Sequence, residues 1–206
     1  MTPAKPTLGA RLRALLATVR TYHEIAGVGE IARRYFVINA FDGSLTTLGV
    51  LAGGYAGGVD RASTIITLIL STAVSIGVAG FYGSYQVERA ERGRALRELE
   101  ESTLSSLEDT TIASASRYAT IVIAFVDGAS PFAGALIVMI PFAFTGLVSM
   151  HTAYFLAVAT GLVELFFLGM FLGAISRERL WLSGLRLAVA GLIALVISLL
   201  LGGGIG

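Results

Sequence analysis

Residues 35–58 read YFVINAFDGSLTTLGVLAGGYAGG, an apolar stretch whose only charged side chain is Asp42. About 20 apolar residues cross the hydrocarbon core of a bilayer, so this stretch is long enough to span a membrane. A carboxylate inside such a span costs about 2.5–3.5 kcal/mol and is usually kept for ions or protons. Asp42 is therefore the first candidate functional residue.

Four further segments have the length and composition of membrane spans. Hydrophobic residues make up 55% of the chain and charged residues only 14%, whereas a typical soluble domain carries about 25% charge. The segments are residues 62–87, two within the apolar block 118–175, which we expect to divide near 145–151, and 181–202. The sequence thus predicts an all-α membrane protein whose domain, residues 35–206, has five transmembrane helices.

Basic residues mark one side of the predicted membrane domain. They are concentrated in residues 1–34, in the polar segment 88–117 and just before the fifth span, whereas the opposite side has only Arg61. Since Lys and Arg accumulate in cytoplasmic loops, this predicts a cytoplasmic N-terminus and a C-terminus outside. No cleavable signal or targeting tail is recognisable, so we expect a multi-pass protein of a prokaryotic cell membrane, or of a vacuolar or organellar membrane in a eukaryote.

Two polar segments accompany the predicted spans. Residues 1–34 form a cytoplasmic arm in which Leu8, Leu12, Leu15, Val19 and Tyr22 have helical spacing between arginines. This predicts an amphipathic helix, either on the inner leaflet or packed against the protein itself. Residues 88–117 form a charged cytoplasmic insert. Their acid–arginine spacings of three and four predict a helix that continues out of the second span.

Two further acids fall inside predicted spans. Asp127-Gly128 repeats Asp42-Gly43 within loosely similar segments, 37–43 and 122–128, which suggests a parallel repeat. Glu164 lies in the fourth span. At 1.5 Å per residue the three acids lie roughly 10, 13 and 16 Å from the cytoplasmic boundary. Carboxylates in one layer suit a hard or borderline divalent cation, or a proton relay.

Each of these residues also has a purely structural explanation. Asp42 could cap a broken helix, Asp127 could be a partner at a proline kink, and Glu164 could bond across helices. Asn39 and Thr46 lie at i−3 and i+4 from Asp42, near the same helix face. They could be cation ligands, or they could bond to backbone carbonyls.

Glycine spacing predicts two close helix contacts. Gly49, Gly53 and Gly57 follow a four-residue step in the first span, and Gly169 and Gly173 repeat it in the fourth. Small residues at this spacing let helix backbones approach each other closely. We expect the first span to pack tightly, and a second copy in a dimer is one candidate partner.

Several function classes are disfavoured by composition. The net charge is only +1, so no broad basic field recruits nucleic acid. The chain has no Cys, so disulfides and thiolate metal sites do not occur. We find no nucleophile–base pair, phosphate-cradling loop or zinc-spaced His cluster, and we expect neither an enzyme nor a resident cofactor.

Residues 39–49, NAFDGSLTTLG, resemble the first-helix signature of the vacuolar iron transporter family. That family includes plant vacuolar iron transporters and the yeast calcium-sensitive cross-complementer. The segments LFFLG (165–169) and WLSGLR (181–186), with Arg179 between them, are also similar. The resemblance implies a homodimer that exports Fe²⁺, and often Mn²⁺, from the cytosol in exchange for protons. It implies a metal path between the two subunits, with Asp42 matching the aspartate on that path.

The chain departs from this family in two places. The family's second helix typically reads MAAGEY, whereas residues 77–82 here read GVAGFY, and the loss of the soft Met favours harder ions such as Mn²⁺. Plant members carry a long glutamate-rich metal-binding domain after this helix, and here only the short insert follows. Glu98, Glu101 and Glu108 are candidates for a reduced version of it. The alternative is a solvated charged helix.

The sequence therefore predicts a homodimeric, proton-coupled transporter of a divalent metal cation. The alternatives are a transporter of another cation or small solute on the same scaffold, and a membrane scaffold that transports nothing. In the scaffold alternative, the charged insert 88–117 would dock a partner protein.

Overall fold

The computed structural model describes residues 8–203, and this part of the chain is helical apart from short connections. Five of its helices are long and apolar enough to cross a membrane, so the chain is a multi-pass all-α membrane protein, as predicted. The elements are α1 (Leu8–Ile25), α2 (Val28–Ala56), α3 (Ala62–Thr103), α4 (Thr111–Met139), a 3₁₀ turn (Ile140–Phe144), α5 (Met150–Ser176) and α6 (Leu180–Gly203). The spanning helices are α2 to α6.

The division of the long apolar block is confirmed. The 3₁₀ turn ends at Phe144 and α5 begins at Met150, within the predicted break. Ser149 caps α5 because its hydroxyl accepts a hydrogen bond from the backbone N–H of Thr152 at 3.2 Å. The third and fourth spans are therefore separate helices joined by a short connection.

The first span begins earlier than its apolar pattern indicates. Gly27, at φ 59°, separates α1 from α2 in a left-handed conformation that glycine adopts without strain. From Val28 onward α2 is continuous, so residues 28–34 form the first turns of the helix that contains the first span. The helix of the first span therefore starts before the apolar run at Tyr35, because the polar first turns of α2 carry no apolar signal.

The helix predicted to leave the second span is confirmed. α3 runs unbroken to Thr103 and ends at Leu104, which adopts the left-handed conformation at φ 52°. Arg94 and Glu98 form an exposed i,i+4 ion pair at 2.7 Å along this extension. Such pairs add a few tenths of a kcal/mol each to an exposed helix.

The arm helix α1 is attached to the bundle at its C-terminal end. The ring of Tyr22 lies 6.0 Å from the ring of Tyr118 of α4. Leu16 and Val19 remain exposed, at 61% and 41%. The packed alternative therefore holds for the last turns of α1. The side chains at positions 8, 12 and 15, and all of residues 1–7, lie outside the described part of the chain.

The bundle is organised around α2, which contacts each of the other four spanning helices. Its closest partner is α4, which runs parallel to it. A Cβ placed on Gly43 would lie 2.4 Å from the carbonyl oxygen of Pro131, and one on Gly134 would lie 2.6 Å from the hydroxyl oxygen of Ser44. Glycine at both positions therefore allows the two backbones to touch.

The glycine contact predicted for the fourth span is confirmed, whereas the glycines of the first span make no close contact with another helix of the same chain. Gly169 and Gly173 of α5 pack directly against Ser183 of α6, as predicted. On α2, a Cβ on Gly49 would reach only 3.7 Å from Ser198, and one on Gly53 would meet nothing within 4 Å. A Cβ on Gly57 would meet only the backbone of α2 itself. Within one chain the α2 stripe is not the close contact, because α4 packs on a different face of α2.

We expect Gly43→Ala to destabilise the bundle by about 1–3 kcal/mol, the usual cost of overpacking a tight contact. The added methyl would overlap the Pro131 backbone, which cannot move as a side chain can. Thermal unfolding of the purified protein in detergent would measure the loss.

Gly83→Ala is the matched control, since a Cβ on Gly83 of α3 would meet nothing within 4 Å. That variant should unfold at or slightly above the wild-type temperature. Equal melting temperatures for the two variants would contradict the α2–α4 contact.

Candidate functional site

A buried polar contact joins α2 to α4 inside the bundle. The carboxylate of Asp127 is 6% exposed and accepts a hydrogen bond from the side-chain amide of Asn39. The same amide donates to the Tyr35 carbonyl at 2.8 Å. On the α3 side, a Cβ on Gly80 would lie 3.2 Å from the Asp127 carboxylate. The carboxylate therefore lies where three helices meet, with no space on its α3 side for a further side chain.

Asp42 points away from this contact. It is exposed although it lies near the middle of α2. The next residue, Gly43, is turned by about 100° around the helix and faces α4, which leaves Asp42 on the outer surface. Thr46, one turn further along the same face, is partly buried. One copy of the chain therefore presents a carboxylate on an apolar surface.

Glu164 of α5 lies on another side of α2 and is partly buried. Its Oε2 atom is shielded from solvent and has no hydrogen-bond partner in the described part of the chain. Ser44 lies beside it, but the Ser44 hydroxyl donates to the carbonyl of Ala40 at 2.9 Å. A buried carboxylate oxygen without a donor is unfavourable. Glu164 is thus well suited to take up a proton, a water molecule or a cation.

The three acids lie at neighbouring levels of the bundle. Asn39 marks the level of Asp127 on α2, and Ser44 marks the level of Glu164. These two marker positions are about 8 Å apart along the helix, and Asp42 lies between them. The acids nevertheless point to three different sides of α2.

The two helices of the predicted repeat run in the same direction. α2 and α4 are parallel, as the repeat requires. However, Asp127 faces Asn39 and not Asp42, because the contact between the helices is shifted by about one turn from the sequence alignment. The two Asp-Gly pairs therefore do not form a facing pair of carboxylates.

The predicted metal ligands do not form one site within a single chain. Among residues 8–203, no three acidic or histidine side chains come close enough to hold a metal ion. The structure brings Asn39 and Asp127 together and keeps Asp42, Thr46 and Glu164 apart from them. A site containing Asp42 needs ligands from outside the chain.

The acids of the charged insert are also dispersed. Glu98 is paired with Arg94 at 2.7 Å. Glu101 and Glu108 are exposed on a shallow groove together with Glu100, whose carboxylate accepts the backbone N–H of residue 107 at 2.7 Å. This arrangement agrees with a solvated charged helix, and within residues 8–203 it brings no three acids together.

The sequence pattern did not predict one buried ion pair, which lies on α3. Glu88 is 6% exposed, and its carboxylate lies 2.8 Å from the Arg92 guanidinium on the next turn of α3. Their spacing was visible in the sequence, but burial depends on the packing of α3 against its neighbours. Removing one member of such a pair leaves a buried charge uncompensated.

The chain is similar to a protein from an archaeon. No family model matches the chain. The chain is 33% identical over 172 residues to the uncharacterized protein MJ0645 of Methanocaldococcus jannaschii, covering 82% of this chain and 87% of the archaeal one. The chain belongs to the family of this archaeal protein. Because the match extends over most of both chains, the two proteins share more than a single motif.

We expect Asn39 and Asp127 to be coupled energetically. Replacing each by Ala, singly and together, would give a double-mutant cycle measured by unfolding in detergent. The expected coupling is roughly 0.6–1.7 kcal/mol, the range found for hydrogen bonds inside membrane bundles.

The same cycle for Thr72 and Asp127 is the control. The Thr72 hydroxyl donates to the Leu68 carbonyl on its own helix at 2.8 Å, so this pair should show no coupling. A coupling near zero for Asn39 and Asp127 would contradict the contact.

Proposed function

We propose that the protein is a homodimeric transporter of a divalent metal cation, Fe²⁺ or Mn²⁺, exporting it from the cytosol in exchange for protons. The observation that carries the proposal is the exposed carboxylate of Asp42 near the middle of a membrane-spanning helix. In lipid such a group costs about 2.5–3.5 kcal/mol. A second copy of the chain would shield it and give it a function.

A two-fold contact would bring two Asp42 carboxylates together. In a symmetric dimer the same surface of each copy meets its own equivalent. If α2 lies at the axis, both carboxylates and both Thr46 hydroxyls face each other, and carboxylate ligands of this kind suit Mn²⁺. Gly53 lies on the same side of α2, where a Cβ would meet nothing within 4 Å in the same chain, and it is small enough to let a second helix approach closely.

The coupling ion has suitable carriers at the same level. Asp127 is buried among α2, α3 and α4, and Glu164 has a buried oxygen with no donor. Carboxyl groups inside a membrane bundle commonly relay protons. In this proposal Asp42 handles the metal, whereas the two interior acids handle protons.

The proposed orientation of the chain in the membrane follows from the basic residues. Arginines are concentrated at the start of α2, along the α3 extension and near the start of α6. These three places lie on one side of a five-span bundle, which supports a cytoplasmic N-terminus and an outer C-terminus. A prokaryotic cell membrane is the proposed location.

A second candidate, a transporter of another cation or a small solute, is favoured by the packing of α3. The family resembled in sequence has a Met at the position of Gly77. Here a Cβ on Gly77 would lie 2.6 Å from the Gly128 carbonyl, so α3 is too close to α4 for a Met side chain. Competition of transport by Mn²⁺, Co²⁺ and Ca²⁺ would separate this candidate from the first.

We expect Asp42→Asn to reduce metal uptake into proteoliposomes by at least about tenfold, since loss of even a residue that supports a metal ligand costs 10- to 100-fold. An internal pH dye should report opposite proton movement in the wild type only. Asp60→Asn, an exposed acid in the α2–α3 loop, is the control and should transport normally.

Undiminished flux in the Asp42 variant would remove the observation on which the transporter proposal rests. Absence of flux in the wild type, for every divalent ion tried, would instead favour a scaffold that transports nothing.

The dimer can be tested by crosslinking, because the natural chain has no Cys. Thr46→Cys, on the proposed axis, should form a disulfide-linked dimer in membranes treated with a mild oxidant. Val163→Cys is the control, since Val163 is 54% exposed on α5, which packs on another side of α2. Equal crosslinking of both variants would argue against an α2 interface.

A further inference from the structure

A large cleft opens between the first turns of α2 and the last turns of α5. Its volume is about 740 Å³, within the usual range for small-molecule sites. Its walls are mostly apolar: Ile31, Val37 and Ile38 come from α2, and Leu172 and Ile175 come from α5. Ile38, Leu172 and Ile175 are 53%, 41% and 41% exposed, so the apolar walls of the cleft are accessible from the surface.

The rim of the cleft is basic. Arg33 and Arg34 line it, both are exposed, and neither belongs to an ion pair in the described part of the chain. Glu30 is the only acid among the lining residues, so the rim has an excess of positive charge. The Arg34 guanidinium lies over the ring of Tyr35, 5.8 Å from its centre.

The position of the rim along α2 is informative. The apolar run of the span starts at Tyr35, directly after the two arginines. A span of about 20 residues then places the arginines at the boundary between hydrocarbon and water, where basic and aromatic residues accumulate. The apolar walls of the cleft extend from this boundary toward the interior of the bilayer.

The charge of the rim argues against a cation entrance. Two unpaired guanidiniums repel a divalent cation, and the apolar walls offer it no ligands. A phosphate group is the complementary ligand, because guanidinium forms charge-assisted and often bidentate hydrogen bonds with it. A phosphate carried by an acyl chain would satisfy the rim and the walls together.

We propose that this cleft binds one anionic phospholipid. The phosphate contacts Arg33 and Arg34, and an acyl chain lies along Ile38, Leu172 and Ile175. The site goes beyond the proposed function, because it needs no metal and does not use the Asp42 carboxylate, which lies one turn beyond Ile38 on the same face of α2. It holds for either orientation of the chain in the membrane.

Lipid retention by the purified protein tests the proposal. The protein in detergent is equilibrated with a mixture of phosphatidylglycerol and phosphatidylcholine, and bound lipids are counted by native mass spectrometry. Replacing Arg33 and Arg34 together by Gln should lower retained phosphatidylglycerol by about 10- to 30-fold, given the usual contribution of each basic residue near anionic lipid. Retained phosphatidylcholine should not change.

The matched control is the double replacement of Arg89 and Arg97 by Gln, which removes the same charge from exposed positions on α3. It should retain phosphatidylglycerol as the wild type does. If both double variants lost the same amount of phosphatidylglycerol, the loss would reflect net charge and not the cleft, and the proposal would be overturned.

A third variant tests the apolar part of the cleft. Leu172→Trp should fill it without changing the charge and should also lower phosphatidylglycerol retention, while the helical content and melting temperature stay near those of the wild type. Glycerol 3-phosphate, which lacks the acyl chains, should not displace the lipid at millimolar concentration. Displacement by glycerol 3-phosphate would point to a free phosphate site and overturn the lipid assignment.

The oligomeric state shows whether a second copy of the chain, and not a lipid, occupies the cleft. If the cleft were covered by a second copy of the chain, Leu172→Trp would change the mass of the protein–detergent complex and leave lipid retention unaltered. That result would also overturn the proposal. Metal flux is not part of any of these readouts, so failure of the transport proposal and failure of the lipid site are distinguishable.

Discussion

The backbone contact between α2 and α4 at Gly43 and Pro131 sets the rest of the bundle. A single methyl group at Gly43 would overlap the Pro131 carbonyl. Because the helices touch there, Asn39 comes opposite Asp127, one turn away from Gly43. The same contact turns Asp42 outward, since adjacent residues of a helix differ by about 100°. One close approach thus decides which carboxylate is buried and which is exposed.

The three acids of the bundle meet the low-dielectric interior in different ways. Asp127 is satisfied by the amide of Asn39, whereas Glu164 keeps one buried oxygen without a donor. Asp42 avoids burial within one chain but lies on a surface that would otherwise face lipid. Within one copy of the chain, only Asp127 is both buried and hydrogen-bonded to another helix. The proposed second copy would shield Asp42 from lipid, and a transported ion or proton would neutralise the remaining carboxylates.

The surface of α2 has two chemically opposite regions. Asp42 is the only charge near the middle of the helix, and Arg33 and Arg34 lie at its beginning, beside an apolar cleft. A cation and an anionic headgroup would be drawn to different places on the same helix. Because the regions are separated by roughly two turns, each can be altered without changing the charge of the other.

The sequence by itself determined the five spans, because a bilayer demands long apolar helices whatever their packing. It also determined the break before α5 and the extension of α3, through local capping and charge spacing. Only the tertiary structure decided that Gly43 is the close contact, whereas Gly53 meets no other helix. Small-residue spacing defines a face but not its partner, and the Asp42–Asp127 repeat likewise does not say which residues face each other. Facing residues depend on the register between two helices, and no local interaction fixes that register.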